Sequence, residues 1–489
     1  MERVDIAYVV SHGFALRMLI QTDLLGKLRD AGKTVAIITS SPDDSTLTEY
    51  CHPRDIKIVR FKTKNGFATE NYQFKRKYFL EDLEANPALL EKHIHAVRYN
   101  TSLHPLRRVR PYYYWLIYKL IPRFPSIRQR FINKEARYLQ SEDARAIVQE
   151  LRPRKLIVTY PVDLNEASLL YYGNQHADVE TWMHLLSWDN ISCKGRFPQL
   201  ADKYIAWGPI MRDELQSYYG VARENIYECG VPHFDLHGSS EVREKTPEVI
   251  KALGLDPERP YLLFAMSSPR FAPREIDIVE WLAREVQAGR FGDMQLLVRP
   301  HPQNVQGNMS DESWLPRLEK IGANSRVAIA YPTLSQGGGM RWSMQQRDMV
   351  TMAAQLACAS VVLNSGSTMS IDALMHDRPV IITAFDGEET LEYWRSARRL
   401  LDFSHLKKFY SYEGISVVEN YAFLVFEISR YLQSLEYKSA ERRRATTAEC
   451  YNADFGATDR VTQLLLCSDK LAIESITDLE SVEKNGNVK

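Results

Sequence analysis

Val361-Val362-Leu363-Asn364-Ser365-Gly366-Ser367-Thr368-Met369-Ser370-Ile371-Asp372-Ala373-Leu374 runs from a short apolar strand, through a turn of small residues, into a helical pattern. The first turn of a helix offers N–H groups without intrahelical partners and the positive end of the macrodipole, which together favour a bound phosphate. Gly366 lets the backbone approach such a group closely, and the hydroxyls of Ser365, Ser367 and Thr368 add donors. The same residues read equally well as a plain helix cap.

Working outward, the unit repeats. A helix from Met369 to about His376 leads to the strand Pro379–Thr383, and a helix near Asp348–Cys358 leads into the quoted strand. Tyr261–Ala265 and Met294–Val298 read as buried strands, joined by an amphipathic helix from about Arg274 to Ala288. The N-terminal half opens the same way: strand Val4–Val10, one helix from about Ala15 to Ala31 stopped by Gly32, then strand Val35–Thr39. Leu156–Thr159, Thr181–Leu186 and Lys203–Trp207 resume the pattern. Strands alternating with helices imply parallel sheets with right-handed crossovers. The polar run Gly238–Lys245 separates the halves. The expected fold class is α/β, with two tandem Rossmann-like domains over residues 1–238 and 239–470, mostly helical after about Asp402, and a frayed acidic tail over 471–489.

Residues of about 65–140 break the rhythm and predict a helical insertion in the first domain. From Arg98 to Arg137 there are ten Lys/Arg against one acid, Glu135, around Tyr112-Tyr113-Tyr114-Trp115-Leu116-Ile117-Tyr118. Such a stretch suits an anionic membrane surface, or a helical pair packed on the sheet with a solvated basic face.

The 489 residues exceed one ordinary core, and 62 Lys+Arg against 62 Asp+Glu give a formal net charge of zero, so no nucleic-acid partner is expected. Six scattered cysteines with no CxxC pair argue against a zinc site or a disulfide framework and fit a reducing compartment. The opening Met-Glu-Arg-Val-Asp runs straight into a strand, and nowhere do eighteen apolar residues run together. A cytoplasmic protein is expected, with a peripheral seat on the cytoplasmic face of the membrane if the basic stretch binds lipid.

Other polar clusters also follow strands. In Arg299-Pro300-His301-Pro302 two prolines hold a cation and an imidazole at the sheet edge, where they could contact a diphosphate or polarise a leaving group; a structural turn is the alternative. Ser267-Ser268 follows the first strand of the second half and reads by itself as an ordinary polar turn. Asp386 and Glu388 could accept hydrogen bonds from ribose or sugar hydroxyls, or sit in a solvated acidic loop. In the first half, His12 in Ser11-His12-Gly13 is a candidate general base or a satisfied loop histidine, and Asp189 in Trp188-Asp189-Asn190 is its rival.

Taken in order, Gly230-Val231-Pro232 with Asp235, Arg299–Pro302, Asp348, Ser365–Thr368, Asp372, Arg378-Pro379-Val380-Ile381 and Asp386 resemble the GT-B glycosyltransferases of surface-polysaccharide assembly. They resemble in particular the CDP-glycerol glycerophosphotransferase-like branch. Trp188-Asp189-Asn190 with Lys194-Gly195, and Phe455–Val461 as a closing helix, are similar too. The resemblance implies two domains facing a central cleft, a nucleotide-activated donor on the second, an acceptor approaching from the first, and no bound metal or other cofactor. It carries His301, Ser365, Ser367 and Thr368 to the donor phosphates and Asp386 to the donor; Arg299, Gly366 and Asp372 belong to the same motifs. That branch often shows two adjacent serines after an acidic residue. Here the loop is Asn-Ser-Gly-Ser-Thr, which favours a sugar donor.

The leading expectation is transfer of a sugar from a nucleotide-sugar donor to a glycan or lipid-linked acceptor of the cell envelope or capsule, with departure of the diphosphate assisted by His301. The alternatives are a CDP-polyol phosphotransferase, a nucleotide-sugar 2-epimerase-like enzyme, and an inactive scaffold of the same fold.

Overall fold

A computed structural model describes residues 3–63, 67–99, 105–305, 311, 313–333, 340 and 345–467. The acidic tail, and the parts of the insertion at 65–66 and 100–104, lie outside the described residues.

Two parallel sheets form the frame. The first holds β1 (Ile6–Val10), β2 (Val35–Thr39), β3 (Lys57–Arg60), β4 (Lys155–Val158), β5 (Glu180–His184), β6 (Lys203–Ala206) and β7 (Ile226–Glu228), in the order β3-β2-β1-β4-β5-β6-β7. The second holds β8 (Tyr261–Ala265), β9 (Gln295–Arg299), β10 (Val327–Ile329), β11 (Val361–Asn364), β12 (Val380–Thr383) and β13 (Ile415–Val418), in the order β10-β9-β8-β11-β12-β13. Helices cover both faces, so the central strands β1, β2, β8 and β9 are buried at every position. In each sheet the order reverses once, between β1 and β4 and between β8 and β11. Such a switch point leaves a crevice beyond the strand C-termini, where the flanking loops diverge.

Two expectations change. The helix expected over 15–31 is two, Gly13–Leu19 and Leu24–Asp30, because Asp23 takes a left-handed φ of 57° between them. Tyr50 donates to the Asp23 carboxylate at 2.6 Å, which lies where a side chain at Gly26 would sit. The closing helix Ala457–Leu466, expected with residues 239–470, packs on the first sheet. Its Val461, Leu464 and Leu465 join the core of Ile6, Tyr8 and Leu24, and Lys155 Nζ donates to the Leu465 carbonyl at 2.6 Å. Asp235 starts that helix by accepting the amides of Thr458 (2.6 Å) and Ala457 (3.1 Å). Two separated sequence motifs thus meet in one cap.

The insertion between β3 and β4 is helical in its described residues, with helices Phe67–Leu80, Pro87–Ile94, Pro105–Leu120 and Pro125–Leu139. Arg98, counted in the basic stretch, reaches across to Glu392 of the second domain. Among the described residues no helix is long and apolar enough to cross a membrane.

Candidate active site

Two adjoining cavities of about 360 and 370 Å³ lie between the sheets and share His12, Lys194, His301, Ser367 and Thr368 in their walls. His12 follows β1 and Tyr160 follows β4; Ser267-Ser268 follow β8 and Gly366–Thr368 follow β11. Both switch points therefore open into the same cleft.

Asn364 shapes the second domain's wall. It is fully buried, and its Oδ1 accepts the amides of Gly366 at 2.8 Å and Ser367 at 3.0 Å. Ser367 Oγ accepts the Met369 amide at 3.3 Å, and the Ser367 carbonyl accepts the Ser370 amide at 3.0 Å. The loop's amides are thus largely spent within the loop, and the helix they open, Met369–Leu374, has only six residues. This corrects the expectation of a backbone phosphate cradle: what the loop turns to the cleft is side chains. Gly366, at φ +105°, has no room for a Cβ, which would lie 2.4 Å from the Tyr410 hydroxyl. His301 stands beside Ser367 and Thr368 on the wall of both cavities; burial pushes its pKa down to about 4, so it is neutral at pH 7. The Ser268 hydroxyl on the same wall is buried without a hydrogen-bond partner among the described residues.

On the facing wall, His12 Nδ1 accepts the Phe14 amide at 3.2 Å and caps the helix it precedes. With Nδ1 so used, the neutral ring carries its proton on Nε2 and is a donor. Asp189 pairs with Lys194 at 2.7 Å. Burial works against the Asp189 charge, but Lys194 and His405 outweigh it and hold the carboxyl below its usual range. Arg17 lines the second cavity with a buried Nε that has no hydrogen-bond partner among the described residues.

Beneath each switch point lies one buried glutamate. Glu166 Oε2 accepts the amides of Thr159 (2.7 Å) and Tyr160 (2.8 Å) after β4, while Ser11 after β1 donates to its Oε1. Glu275 Oε2 accepts the Ser267 amide after β8 at 2.6 Å, and its carboxyl faces Ser365 after β11. Burial raises both to about 7 against the pull of these donors.

No protein-family model and no curated protein sequence matches this chain. Among solved structures, UDP-GlcNAc 2-epimerase from Neisseria meningitidis bound to UDP-GlcNAc aligns with 94% of this chain and 100% of its own at 9% identity, TM-score 0.52. The S. aureus MnaA–UDP co-structure aligns with 95% of this chain and 98% of its own at 10% identity, TM-score 0.52. The wall teichoic acid polymerase TagF aligns with 98% and 91% at 10% identity, TM-score 0.49. The chain has the GT-B fold.

The GT-B cleft gathers most of the residues singled out from sequence: His12, Asp189, Ser267, Ser268, Arg299, His301, Gly366, Ser367, Thr368 and Asp372 all contribute to its walls. Two of these are engaged elsewhere. The Arg299 guanidinium is buried against Asp348 (2.7 Å) and Gln355 (3.3 Å). Asp372 accepts from His237 of the interdomain segment at 2.9 Å, and His237 contacts His376 at 2.9 Å on its other nitrogen.

Three residues lie outside the cleft. Ser365 turns into the core, 2.8 Å from the Thr383 hydroxyl. Asp386 is buried with its carboxylate on the amides of Ala397 (2.9 Å) and Leu391 (3.4 Å), so it fixes a turn and has no free face for ribose. Glu388 is exposed away from both cavities. The sequence reading missed Lys194 and Arg17 as cleft cations. Lys194, five residues after Asp189 in one loop, was marked only by its place in a motif; Arg17 sits inside a helix and carries no local signal.

Proposed function

We propose that this GT-B chain is a glycosyltransferase that takes a nucleotide-sugar donor and needs no metal ion. The reading is carried by one observation: hydroxyls and a neutral histidine from one domain (Ser367, Thr368, His301) face two cations from the other (Lys194, Arg17) across a cleft where both switch points meet. A donor diphosphate placed there would accept hydrogen bonds from the first set and have its charge offset by the second. These contacts strengthen as negative charge collects on the leaving phosphate, so they favour the transition state over the bound donor. His301 is suited to donate a hydrogen bond rather than a charge. The acceptor hydroxyl would lose its proton to Asp189, because His12 presents a donor in its capping tautomer. The likeness in fold to structures solved with UDP and UDP-GlcNAc supports a uridine donor. The acceptor glycan has a candidate seat in a cavity of about 700 Å³ on the far side of the 191–200 loop, with Glu81, Asp82, Asn86, Arg196 and Tyr218 in its wall.

A second reading, nucleotide-sugar epimerisation, is favoured by the likeness in fold to the UDP-GlcNAc 2-epimerase from Neisseria meningitidis. It needs acid/base groups in the cleft. Besides Asp189, the base of the transferase reading, the carboxylates among the described residues lining the two cavities are Glu91 and Asp372, and both are engaged, by Arg270 and Arg399 and by His237.

A thermal-shift panel of nucleotide diphosphates and sugar nucleotides tests the proposal. A ligand at a hundred times its Kd should stabilise the chain by about 2.7 kcal/mol. Ser367→Ala and His301→Ala should weaken the shift, and Ser365→Ala should not. No shift with any nucleotide would overturn the transferase reading; epimerised sugar formed without acceptor would replace it with the second.

A further inference from the structure

The helix Pro105–Leu120 is apolar on two faces. On one, Tyr114, Trp115 and Tyr118 pack with Phe74, Tyr78 and Leu89, and Trp115 stacks on His93. On the other, Val109, Tyr112, Tyr113, Leu116 and Leu120 recur at intervals of three and four residues and are 62, 57, 57, 59 and 39% exposed. The stripe continues past the turn into Phe124 and Ile127, at 50 and 43%. Seven of the fifteen large hydrophobics exposed among the described residues therefore fall within this one segment. Scattered exposed apolar residues are ordinary, whereas a contiguous stripe marks an interaction surface.

The charge around the stripe selects the partner. Arg123, Arg130, Lys134 and Arg137 are exposed and make no ion pair with a described residue. The only acid from 105 to 140 is Glu135, which is buried against Arg76. The stripe thus has a rim of unpaired cations, and the exposed carboxylates that touch its helix, Asp82 and Glu84, are held by Tyr118 and Lys119. A second copy docking through the same face would bring like charges together. Tyrosines suit the headgroup level of a bilayer, and arginines attract anionic headgroups.

We propose that the face from Val109 to Ile127 seats on an anionic lipid bilayer, with its apolar side chains at the headgroup boundary and Arg123, Arg130, Lys134 and Arg137 on lipid phosphates. This stands whether or not the chain transfers sugar.

The test is co-sedimentation of the full chain with vesicles of phosphatidylglycerol and phosphatidylcholine, and with phosphatidylcholine alone. Binding should require phosphatidylglycerol and weaken with added salt. Two variants probe the two parts of the surface: Tyr112→Ser with Tyr113→Ser and Leu116→Ser, and Arg123→Glu with Arg130→Glu. Each should keep the wild-type Tm, since the altered side chains are exposed, and each should lower vesicle affinity by more than about tenfold. Equal binding by wild type and the charge variant, or no binding to phosphatidylglycerol vesicles, would overturn the proposal. So would a solution dimer that the serine variant dissolves, since a second copy would then cover the face.

Discussion

Replacing Glu275 with glutamine should make the second domain less sensitive to alkali. In the folded chain the Glu275 carboxyl titrates near 7, against 4.5 for an ordinary glutamate, because burial disfavours its charge. Between these two values the folded state holds a proton that the unfolded chain has released. The stability this gives is fully present below pH 4.5 and is lost as pH rises through 7. At about 1.4 kcal/mol per pKa unit, the loss is roughly 3 kcal/mol by mildly alkaline pH. Glutamine is neutral throughout, nearly the same shape, and its carbonyl can still accept the Ser267 amide that Glu275 now holds at 2.6 Å. The variant should therefore match wild type near pH 4.5 and exceed it by up to roughly 3 kcal/mol near pH 8. Urea unfolding across that range, followed by a signal from each domain, measures it. Glu166→Gln should produce the same flattening in the transition of the first domain and leave the second unchanged, because its partners Ser11, Thr159 and Tyr160 all lie in loops of the first domain. Stability curves for wild type and variant that run parallel from pH 4.5 upward would refute the reasoning.

Two further outcomes separate the site from its scaffold. Asp386→Ala strands the amides of Ala397 and Leu391 and should cost about 1–3 kcal/mol of stability in a denaturant titration, while nucleotide affinity measured calorimetrically stays at the wild-type value. Lys194→Met should lower nucleotide affinity by a deficit that shrinks as salt is raised, and, because it leaves the largely buried Asp189 without its cation, it should lower Tm in the absence of ligand as well.

What the sequence revealed of the fold follows burial. The nine strands read from apolar runs are β1, β2, β4, β5, β6, β8, β9, β11 and β12, all in the interior of their sheets. The four that went unread, β3, β7, β10 and β13, are the four sheet edges. An edge strand has one hydrogen-bonding side free and is short: Ile226–Glu228 and Val327–Ile329 have three residues each, and Lys57–Arg60 begins and ends on an exposed cation. Too little apolar surface is buried there to leave a run. For the site, the loops were legible because polar residues clustered just past strand ends. The direction of each side chain was not. Ser365 turns inward and Ser367 outward because Asn364 holds the amides of Gly366 and Ser367 and so sets the path of the turn. Asp386 looked like any loop carboxylate, and its partners, the amides of Leu391 and Ala397, lie five and eleven residues further on.

The two buried glutamates show why the cleft has the shape it does. At a switch point neighbouring strands send their loops in opposite directions, and the first amides beyond each strand lose their sheet partners. Buried amides need acceptors, and one carboxyl oxygen supplies them: Glu166 Oε2 for Thr159 and Tyr160, Glu275 Oε2 for Ser267. The two domains meet this need from opposite sides. Glu166 comes from the helix that follows β4, on the far flank of its switch point, whereas Glu275 opens the helix that follows β8, on the near flank of its own. A copied element would occupy the same flank twice. The crossed placement means that the two glutamates do not hold equivalent positions in the two domains. Each group, lodged below its crevice, leaves the space above free for a ligand and fixes the loops that would grip it.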